Sequence, residues 1–395
     1  MIAEPRRRGV AVRLSVLFAA IFFVTGISLP YLPVWLAWTG LSAREIAIVS
    51  AGPLMVRVLA SPAIAFAADR SGDHRRFLIG LAWSVVASQL LLAQMRTFWP
   101  ILGASLLLAL AWTTILPLAE SIAIRGMASV RLDYGRMRLW GSISFSAAAL
   151  IGGWLVDHTD AGAIMALLIA GSTVLALAAH ALANPAPSAA PPALRPPPRP
   201  AAVMALLTTP TFLIFVFASG AVQAGHAVFY TFGTLHWSAL GISPRIAGLL
   251  WTVGVGAEIL LFATAGALLR RTGPIAMLAL AAGAGIVRWG AMACEPAVWL
   301  LFGLQALHGL TFGATHIGAI HFLASALPQH QAGTAQAVYA AVTSGILLGG
   351  TTMLVGPLYA DWGGRAYWAM AAVSAVGLIA TMLLKKVVAG RDPTG

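Results

Sequence analysis

The stretch 184-NPAPSAAPPALRPPPRPAA-202 divides this 395-residue sequence into two halves and decides how the chain is organised. Because proline lacks a backbone N–H and crowds the preceding turn, these residues cannot form a regular helix. On each side of them lie six apolar stretches, each close to the ~20 residues that a helix needs to cross a bilayer. The pattern predicts an all-α membrane protein with two six-helix bundles, 1–183 and 204–395, joined by a semi-extended linker over 184–203.

Composition supports the membrane class independently of the linker. Hydrophobic residues make up 59% of the chain, charged residues make up 9%, and the mean hydropathy is +0.87. A soluble globular chain carries about 25% charged residues, so this composition excludes that class. The predicted helices lie near residues 14–38, 44–68, 77–95, 98–124, 136–157, 161–183, 208–236, 244–268, 275–293, 297–326, 332–358 and 364–386.

The basic residues indicate how these helices are oriented. The net charge of +12 would suggest nucleic-acid binding on a soluble chain, but here the basic residues occupy the short gaps between apolar stretches. With the N-terminus inside, 18 of the 24 Lys and Arg residues fall in inner segments and four in outer segments. The positive-inside rule therefore predicts both termini in the cytoplasm. The single cysteine, Cys294, excludes an intrachain disulfide and a cysteine metal cluster.

An internal repeat relates the two halves. Sliding the sequence by 201 residues brings matching segments to both ends of the second and eighth helices: 42-SAREIAIV-49 with 243-SPRIAGLL-250, and 65-AFAADRSG-72 with 266-GALLRRTG-273. The same offset pairs Arg57 with Glu258, so each half carries one ionisable group at the same depth. Duplicated halves of this kind are a common plan among membrane transporters.

Ionisable residues inside the apolar stretches are the candidate functional residues. A charged group at the centre of a membrane helix costs about 2.5–3.5 kcal/mol on insertion scales, so such groups face a cavity or a partner. Glu258 either forms an ion pair that holds helix eight to a neighbour or carries a proton, because burial favours its protonated form. Arg288 either pairs with Glu258 or offers its planar fork to a carboxylate or hydroxyl-rich substrate.

The other ionisable groups leave more alternatives open. Arg57 either clamps a neighbouring helix or contacts substrate. Glu120 and Arg138 flank one short loop, so an ion pair between them is geometrically easy and would serve binding or gating. His308 lies near mid-membrane and is a candidate for proton coupling, and His226 is a further cavity candidate beside aromatic residues.

One loop resembles a family signature. The segment 69-DRSGDHRR-76 resembles the loop between helices two and three of the major facilitator superfamily, Gly-x-x-x-Asp-Arg-x-Gly-x-Arg-Arg. Here Ala65 replaces the first glycine, and one extra residue precedes the final arginine pair. The resemblance implies that a set of loop residues latches a cytoplasmic gate: Asp69, Arg70, Gly72, Arg75 and Arg76.

Further segments are similar to one family within that superfamily. They are 29-LPYLPVWL-36, 132-LDYGRMRLWGS-142, 249-LLWTVGVGAEILLF-262, 285-GIVRWGAM-292, 305-QALHG-309 and 335-AQAVYAAV-342. Together they resemble the 3-phenylpropionic acid transporter family, which is similar to oligosaccharide:proton symporters such as lactose permease. The resemblance covers nearly the whole chain and implies twelve helices in two pseudo-symmetric bundles, alternating access, proton-coupled uptake and a bacterial inner membrane.

The resemblance also implies roles for particular residues. Glu120 and Arg138 correspond to the substrate-binding acid and arginine of the permease, and Glu258, Arg288 and His308 match its acid, arginine and histidine on helices eight, nine and ten. Thr311 stands where the permease has its proton-carrying glutamate, and Gln305 replaces a lysine. Glu258 with His308 is therefore the candidate pair for proton coupling. The expected substrate-binding residues are Glu120, Arg138, Trp140, His226, Arg288 and Trp289, with the two tryptophans as aromatic walls.

These observations predict a secondary transporter that imports a small aromatic carboxylate, such as 3-phenylpropionate, together with protons. The alternatives are an oligosaccharide or nucleoside-type proton symporter, and a drug or metabolite exporter. A membrane-embedded enzyme is disfavoured, because the sequence contains no P-loop and no metal-ligand spacing. We expect no cofactor, no metal, no nucleic-acid partner, and a chain that functions as a monomer in the lipid bilayer.

Overall fold

The computed structural model of the chain describes residues 4–130, 134–182, 200–327 and 332–390. These residues are almost entirely helical, which confirms the predicted all-α class. The α-helices are α1 (Glu4–Trp38), α2 (Ala43–Ser71), α3 (His74–Leu92), α4 (Phe98–Trp112), α5 (Ile115–Val130), α6 (Tyr134–His158), α7 (Ala163–Ala181), α8 (Pro200–Leu207), α9 (Pro210–Ala224), α10 (Ala227–Ala239), α11 (Pro244–Thr272), α12 (Pro274–Met292), α13 (Val298–Ala306), α14 (Thr315–Ala326), α15 (Ala332–Ala340), α16 (Leu348–Trp362) and α17 (Tyr367–Ala389). Two π-helical segments, Gly309–Ala314 and Ala341–Leu347, interrupt this series.

The membrane-crossing segments agree with the predicted helix number. Eleven segments of the described residues are long and apolar enough to cross a membrane. The last of them, Gly333–Ala389, has 57 residues, more than twice what one crossing needs. It is broken by a short turn at Gly363–Ala366, where Gly363 adopts φ 54°, and so provides two crossings.

Four predicted helices are interrupted in the structure, including the one at 332–358, which contains α15, the second π-helical segment and most of α16. The segment predicted at 98–124 consists of α4 and α5, and the one at 208–236 contains α9 and α10. The segment predicted at 297–326 contains α13, the first π-helical segment and α14. Apolar content predicts the crossing but not these breaks, because a π turn or kink changes backbone hydrogen bonding without changing hydropathy.

The contacts of the chain define two compact units, of which unit 1 contains Met1–Leu41, Leu59–Pro197 and Ser243–Thr252. In this unit α1 packs along α6 and α7 and buries Leu17 completely. Gly26 lets the backbones approach, because a Cβ there would lie 2.5 Å from the carbonyl oxygen of Phe145. Tyr31 donates a hydrogen bond from its hydroxyl to the carbonyl oxygen of Ala149, 2.7 Å away. Small residues and internally satisfied polar groups are the usual basis of such packing in membranes.

Unit 2 contains Ser42–Val58, Pro198–Ile242 and Val253–Gly395. Here α12 packs between α17 and α14, and α17 packs against α9. A stack of aromatic rings supports one end of the unit, with Phe215 lying 4.5 Å from Phe322 and 5.5 Å from Tyr339 between ring centroids. Helix α12 is therefore enclosed on several sides, and the candidate site lies near its C-terminal end.

The internal repeat is visible in the helices themselves. Helices α2 and α11 are both 29 residues long and begin at residues 43 and 244, which reproduces the offset of 201. Each is followed by a glycine with positive φ, Gly72 at 68° and Gly273 at 78°. Only glycine adopts this backbone conformation at no steric cost, which explains why both copies keep it.

The predicted linker lies largely outside the described residues, which resume at Pro200 with α8. This helix starts inside the predicted linker range, because proline is tolerated at the first position of a helix. The proposed bundle boundaries and the cytoplasmic placement of the termini remain predictions.

Candidate functional site

The site in unit 2 is built around Arg288, whose side chain is 0% exposed near the C-terminal end of α12. Its Nη2 donates to Oε1 of Gln305 at 2.7 Å, and its Nη1 donates to Oγ1 of Thr311 at 3.0 Å. Nη1 also lies 3.1 Å from Nδ1 of His308. The guanidinium thus joins α12 to the residues around the first π-helical segment.

Two aromatic rings pack against this guanidinium. Its central carbon lies 4.4 Å from the ring centroid of Trp289 and 4.8 Å from that of Phe229. Tyr367 stacks on Trp289 with 5.9 Å between ring centroids. Attraction between a cation and a ring quadrupole, estimated at about 2 kcal/mol when the pair is desolvated, helps to hold a positive charge here.

The positive charge of Arg288 is not matched by a nearby negative charge. Across the described residues, no acidic side chain forms an ion pair with Arg288, and its buried Nε–H has no hydrogen-bond partner. Of the two alternatives that the sequence left open, direct pairing with Glu258 is therefore not the arrangement in this structure. A buried cation without a counterion is costly, so the site is suited to receive an anion.

Glu258 reaches the cluster through His308. Its Oε2 lies 3.9 Å from Nε2 of His308, and the side chains of Glu258 and His308 are 23% and 11% exposed. Because an arginine can only donate, Nδ1 of His308 must accept from Arg288, which leaves the proton of the neutral ring on Nε2, facing Glu258. The three ionisable groups therefore form a line in which the Nε2–H of His308 faces the carboxylate of Glu258.

Close packing of α11 on the π-helical segment sets this distance. At Gly309 a Cβ would lie 2.7 Å from the carbonyl oxygen of Ala257, the residue before Glu258. Only a residue without a side chain allows this approach. π-helical turns of this kind are frequent at functional sites, and here the turn begins directly after His308.

Replacing Gly309 with alanine is expected to destabilise the protein by about 1–3 kcal/mol, because the added methyl group overpacks the contact between α11 and the π-helical segment. Thermal unfolding in detergent would measure this. The matched control is Gly303→Ala in α13, where no atom lies within 4 Å of the added carbon and helix propensity favours alanine. Equal effects of the two substitutions would contradict the role assigned to the close approach.

His226 is buried behind the site instead of lining an open cavity. Its Nδ1 lies 3.2 Å from the carbonyl oxygens of Val222 and Gln223, and its Nε2 lies 3.0 Å from Oγ1 of Thr311. Since Nδ1 donates to a carbonyl, Nε2 accepts from the threonine hydroxyl, whose oxygen in turn accepts from Arg288. His226 thus positions Thr311, and through it the guanidinium.

A second polar group lies in unit 1. The hydroxyl of Tyr134 donates to Oε1 of Glu120 at 3.1 Å, and the guanidinium of Arg138 lies 3.8 Å from the ring centroid of Phe22. Among the described residues no ion pair joins Glu120 to Arg138, although their spacing makes one easy. Trp140, predicted as an aromatic wall, is 53% exposed.

Acidic side chains of the predicted gate loop form contacts with other residues of the same segment. Asp69 Oδ1 lies 2.7 Å from Nε2 of His74, and Asp73 Oδ1 accepts a 3.0 Å hydrogen bond from the backbone of Arg76. Arg75 reaches out of the loop and donates to the carbonyl oxygen of His180 near the end of α7. The exposed Arg70 lies in the last turn of α2, and Gly72 provides the turn between α2 and α3. Arg57, in the part of α2 that belongs to unit 2, is exposed and has a polar partner.

Several partners in these groups were not identified from the sequence, among them Gln305, Tyr134 and His74. Gln305 is fully buried in an apolar stretch, and a buried amide normally indicates a polar partner. The amide of Gln305 therefore indicates that a polar partner exists, but the sequence does not identify which residue that partner is. Tyr134 and His74 lie in polar loop regions, where their residue types carry no comparable signal.

Comparisons with known proteins agree with this architecture. The MFS_1 like family matches residues 11–370. The chain is 32% identical over 373 residues to a protein of Escherichia coli (strain K12) named "Probable 3-phenylpropionic acid transporter", covering 93% of this chain and 95% of the relative. It is 30% identical to the maltose permease of Geobacillus stearothermophilus, covering 93% and 92% of the two chains. The crystal structure of the nucleoside transporter NupG has the same fold, with a TM-score of 0.83, 18% identity, and 95% and 99% coverage.

Proposed function

Because the chain belongs to the MFS_1 like family of secondary membrane transporters, we propose that it imports a small aromatic carboxylate together with a proton. The family and the similar proteins are transporters and not enzymes, and the chain crosses the membrane many times. We further propose that it acts as a monomer in the bacterial inner membrane, with both termini in the cytoplasm.

The observation that carries this proposal is the charge of Arg288. The guanidinium is fully buried, all its bonded partners are neutral side chains, and Nε–H has no partner in the part of the chain that the structure describes. A substrate carboxylate would supply the missing negative charge and accept from the planar fork. Gln305 and Thr311 hold the fork in place.

The aromatic character of the substrate is supported by the surroundings of this arginine. Phe229 and Trp289 pack against it, and Tyr230 lies beside His226 at 5.3 Å between ring centroids. Rings of this kind stack favourably on a phenyl group, by about 0.5–1.5 kcal/mol beyond the burial of area. The name of the Escherichia coli relative, which refers to 3-phenylpropionic acid, points to the same class of substrate.

Proton coupling is proposed for Glu258 and His308. Importing an anion against a negative-inside potential costs about 2.3 kcal/mol per charge per 100 mV, and one co-transported proton removes that cost. The pair is partly exposed and lies next to Arg288, so binding of a carboxylate would change the electrostatic potential at both groups. In this scheme, substrate and proton bind to one cluster and are released together in an alternating-access cycle.

The direct test is the external pH of non-energised proteoliposomes. Adding 3-phenylpropionate is expected to make the medium more alkaline in liposomes with the wild-type protein, and this signal should disappear in Arg288→Ala. Protein-free liposomes are the essential control, because the protonated acid crosses lipid unaided. No difference between protein-containing and protein-free liposomes would refute carboxylate symport.

A sugar is the second candidate substrate, and it is favoured by a separate observation. Glu120, Tyr134 and Arg138 form a polar group of the kind that binds hydroxyls, and the maltose permease is 30% identical. In the same liposomes, alkalinisation on adding lactose or maltose, with silence toward the acid, would assign the chain to the sugar symporters.

A further inference from the structure

A cavity of about 650 Å³ lies in unit 2, away from Arg288, at the end where α11 finishes and α12 begins. Membrane-crossing segments containing α9, α12, α14 and α17 all have an end here, at Pro210, Pro274, Ala326 and Ala389. Most of the lining is apolar, with contributions from Ile275, Phe322, Met382 and Val388. The cavity is therefore a cleft between helix ends, close to one boundary of the membrane.

Two polar side chains of this cleft, Thr211 and Lys385, are suited to an anion, whereas the hydroxyls of Thr272 and Ser325 donate to helix carbonyls. Thr211 is only 8% exposed, and its Oγ1 has no hydrogen-bond partner among the described residues. Lys385 contributes an ammonium group, and no acidic residue lines the cavity. The first turn of α12 also borders it, and the N-cap residue Gly273 provides no side-chain cap. Uncapped N–H groups and the positive end of the helix dipole favour negative charge.

We propose that this cleft binds an anionic phospholipid, with the phosphate near Lys385, Thr211 and the first turn of α12, and the acyl chains on the apolar lining. A lone buried hydroxyl without a partner is unfavourable, and a phosphate oxygen would accept its hydrogen bond. Arg270 and Arg271 at the end of α11 make this end of the unit basic. Basic pockets between membrane helices are known to bind anionic headgroups.

A lipid fits the cleft better than a free phosphate ion. Free phosphate needs a polar, hydrated cradle, whereas most side chains here are apolar and belong to membrane-crossing helices. An amphiphile satisfies both parts of the lining at once. The proposal concerns lipid binding alone, so it does not depend on which substrate the protein transports.

The test is thermal unfolding of the full-length protein in detergent, titrated with phosphatidylglycerol, phosphatidylcholine or inorganic phosphate. Phosphatidylglycerol is expected to raise the unfolding temperature at lower mole fractions than phosphatidylcholine does. Lys385→Gln is expected to weaken this effect about fivefold, the contribution of one lysine near an anionic headgroup. The matched control is the adjacent Lys386→Gln, which does not line the cavity and should change it less than twofold.

Thr211→Val provides an independent measurement. Without lipid, it is expected to leave the unfolding temperature unchanged or higher, because it removes a buried hydroxyl without a partner. With phosphatidylglycerol, the concentration needed for half-maximal stabilisation should rise about fivefold, while Thr208→Val, whose exposed hydroxyl bonds to a helix carbonyl, should not change it.

Three results would overturn the proposal. Equal stabilisation by phosphatidylcholine would remove the preference for an anionic headgroup. Stabilisation by inorganic phosphate alone, lost in Lys385→Gln, would make this a free-anion site. Equal losses in the Lys385 and Lys386 variants would indicate general attraction to the membrane surface. Native mass spectrometry of phosphatidylglycerol retained by each variant checks binding independently of stability.

Discussion

Replacing Arg288 with methionine is expected to abolish uptake of the aromatic carboxylate while leaving the protein folded and close to wild-type stability. The guanidinium is fully buried and lacks an ion-pair partner among the described residues, so its burial costs free energy that methionine does not cost, and this gain offsets the loss of the hydrogen bonds to Gln305 and Thr311. Truncating one partner of a buried charged pair typically costs about 2–5 kcal/mol of binding. The corresponding loss of kcat/KM is at least about 30-fold.

Transport in proteoliposomes and thermal unfolding in detergent would measure the two halves of this prediction. Arg288→Lys should also fail, because a point charge cannot reproduce the bidentate fork held by Gln305 and Thr311. The control is Arg365→Met at an exposed position, which should change neither quantity. Loss of stability together with transport would instead indicate that Arg288 has a structural role.

Replacing Glu258 with glutamine is expected to reduce the accumulation ratio of the substrate to one or below, while counterflow stays within about threefold of wild type. Glutamine keeps the shape of the side chain but cannot take up or release a proton, so only the proton-coupled half of the cycle is lost. Without the proton, each imported anion works against about 2.3 kcal/mol per 100 mV. Counterflow needs no driving force and therefore isolates binding and conformational exchange.

The matched control for this variant is Glu45→Gln at the exposed start of α2. There the carboxylate accepts from Ser42 in a capping box, which glutamine also forms. Accumulation and counterflow should both remain. Equal loss of the two activities in Glu258→Gln would show that Glu258 binds substrate or holds the structure, and not that it couples protons.

The sequence predicts correctly those features that follow from the free-energy cost of placing a charged residue in the bilayer. Charges are expensive in hydrocarbon, so the apolar stretches predict the helices, and the few ionisable groups inside them stand out as candidates. Glu258, Arg288 and His308 were selected in this way and lie together in one unit. The repeat offset of 201 residues likewise predicted the paired helices α2 and α11.

The partners within the site could not be obtained in the same way. Sequence spacing allowed Arg288 to pair with Glu258 and Glu120 to pair with Arg138, but in each case another side chain, His308 or Tyr134, lies beside the acid. Which side chain lies between two charged residues depends on the rotation of each helix about its own axis and on the direction of each side chain. A π-helical turn after His308 changes that rotation without any sign in the hydropathy.

The amino-acid sequence alone therefore determined that this chain is an all-α membrane protein with eleven to twelve apolar helices, and which ionisable groups are placed in the apolar stretches. Folding decided that Arg288 is enclosed by aromatic rings and neutral hydrogen-bond partners, with its Nε–H unsatisfied among the described residues. The physical reason is that two different kinds of interaction decide these features. Transfer into hydrocarbon acts on each residue separately, whereas hydrogen bonds and charge pairing depend on atoms from different helices being brought within about 3–4 Å of each other.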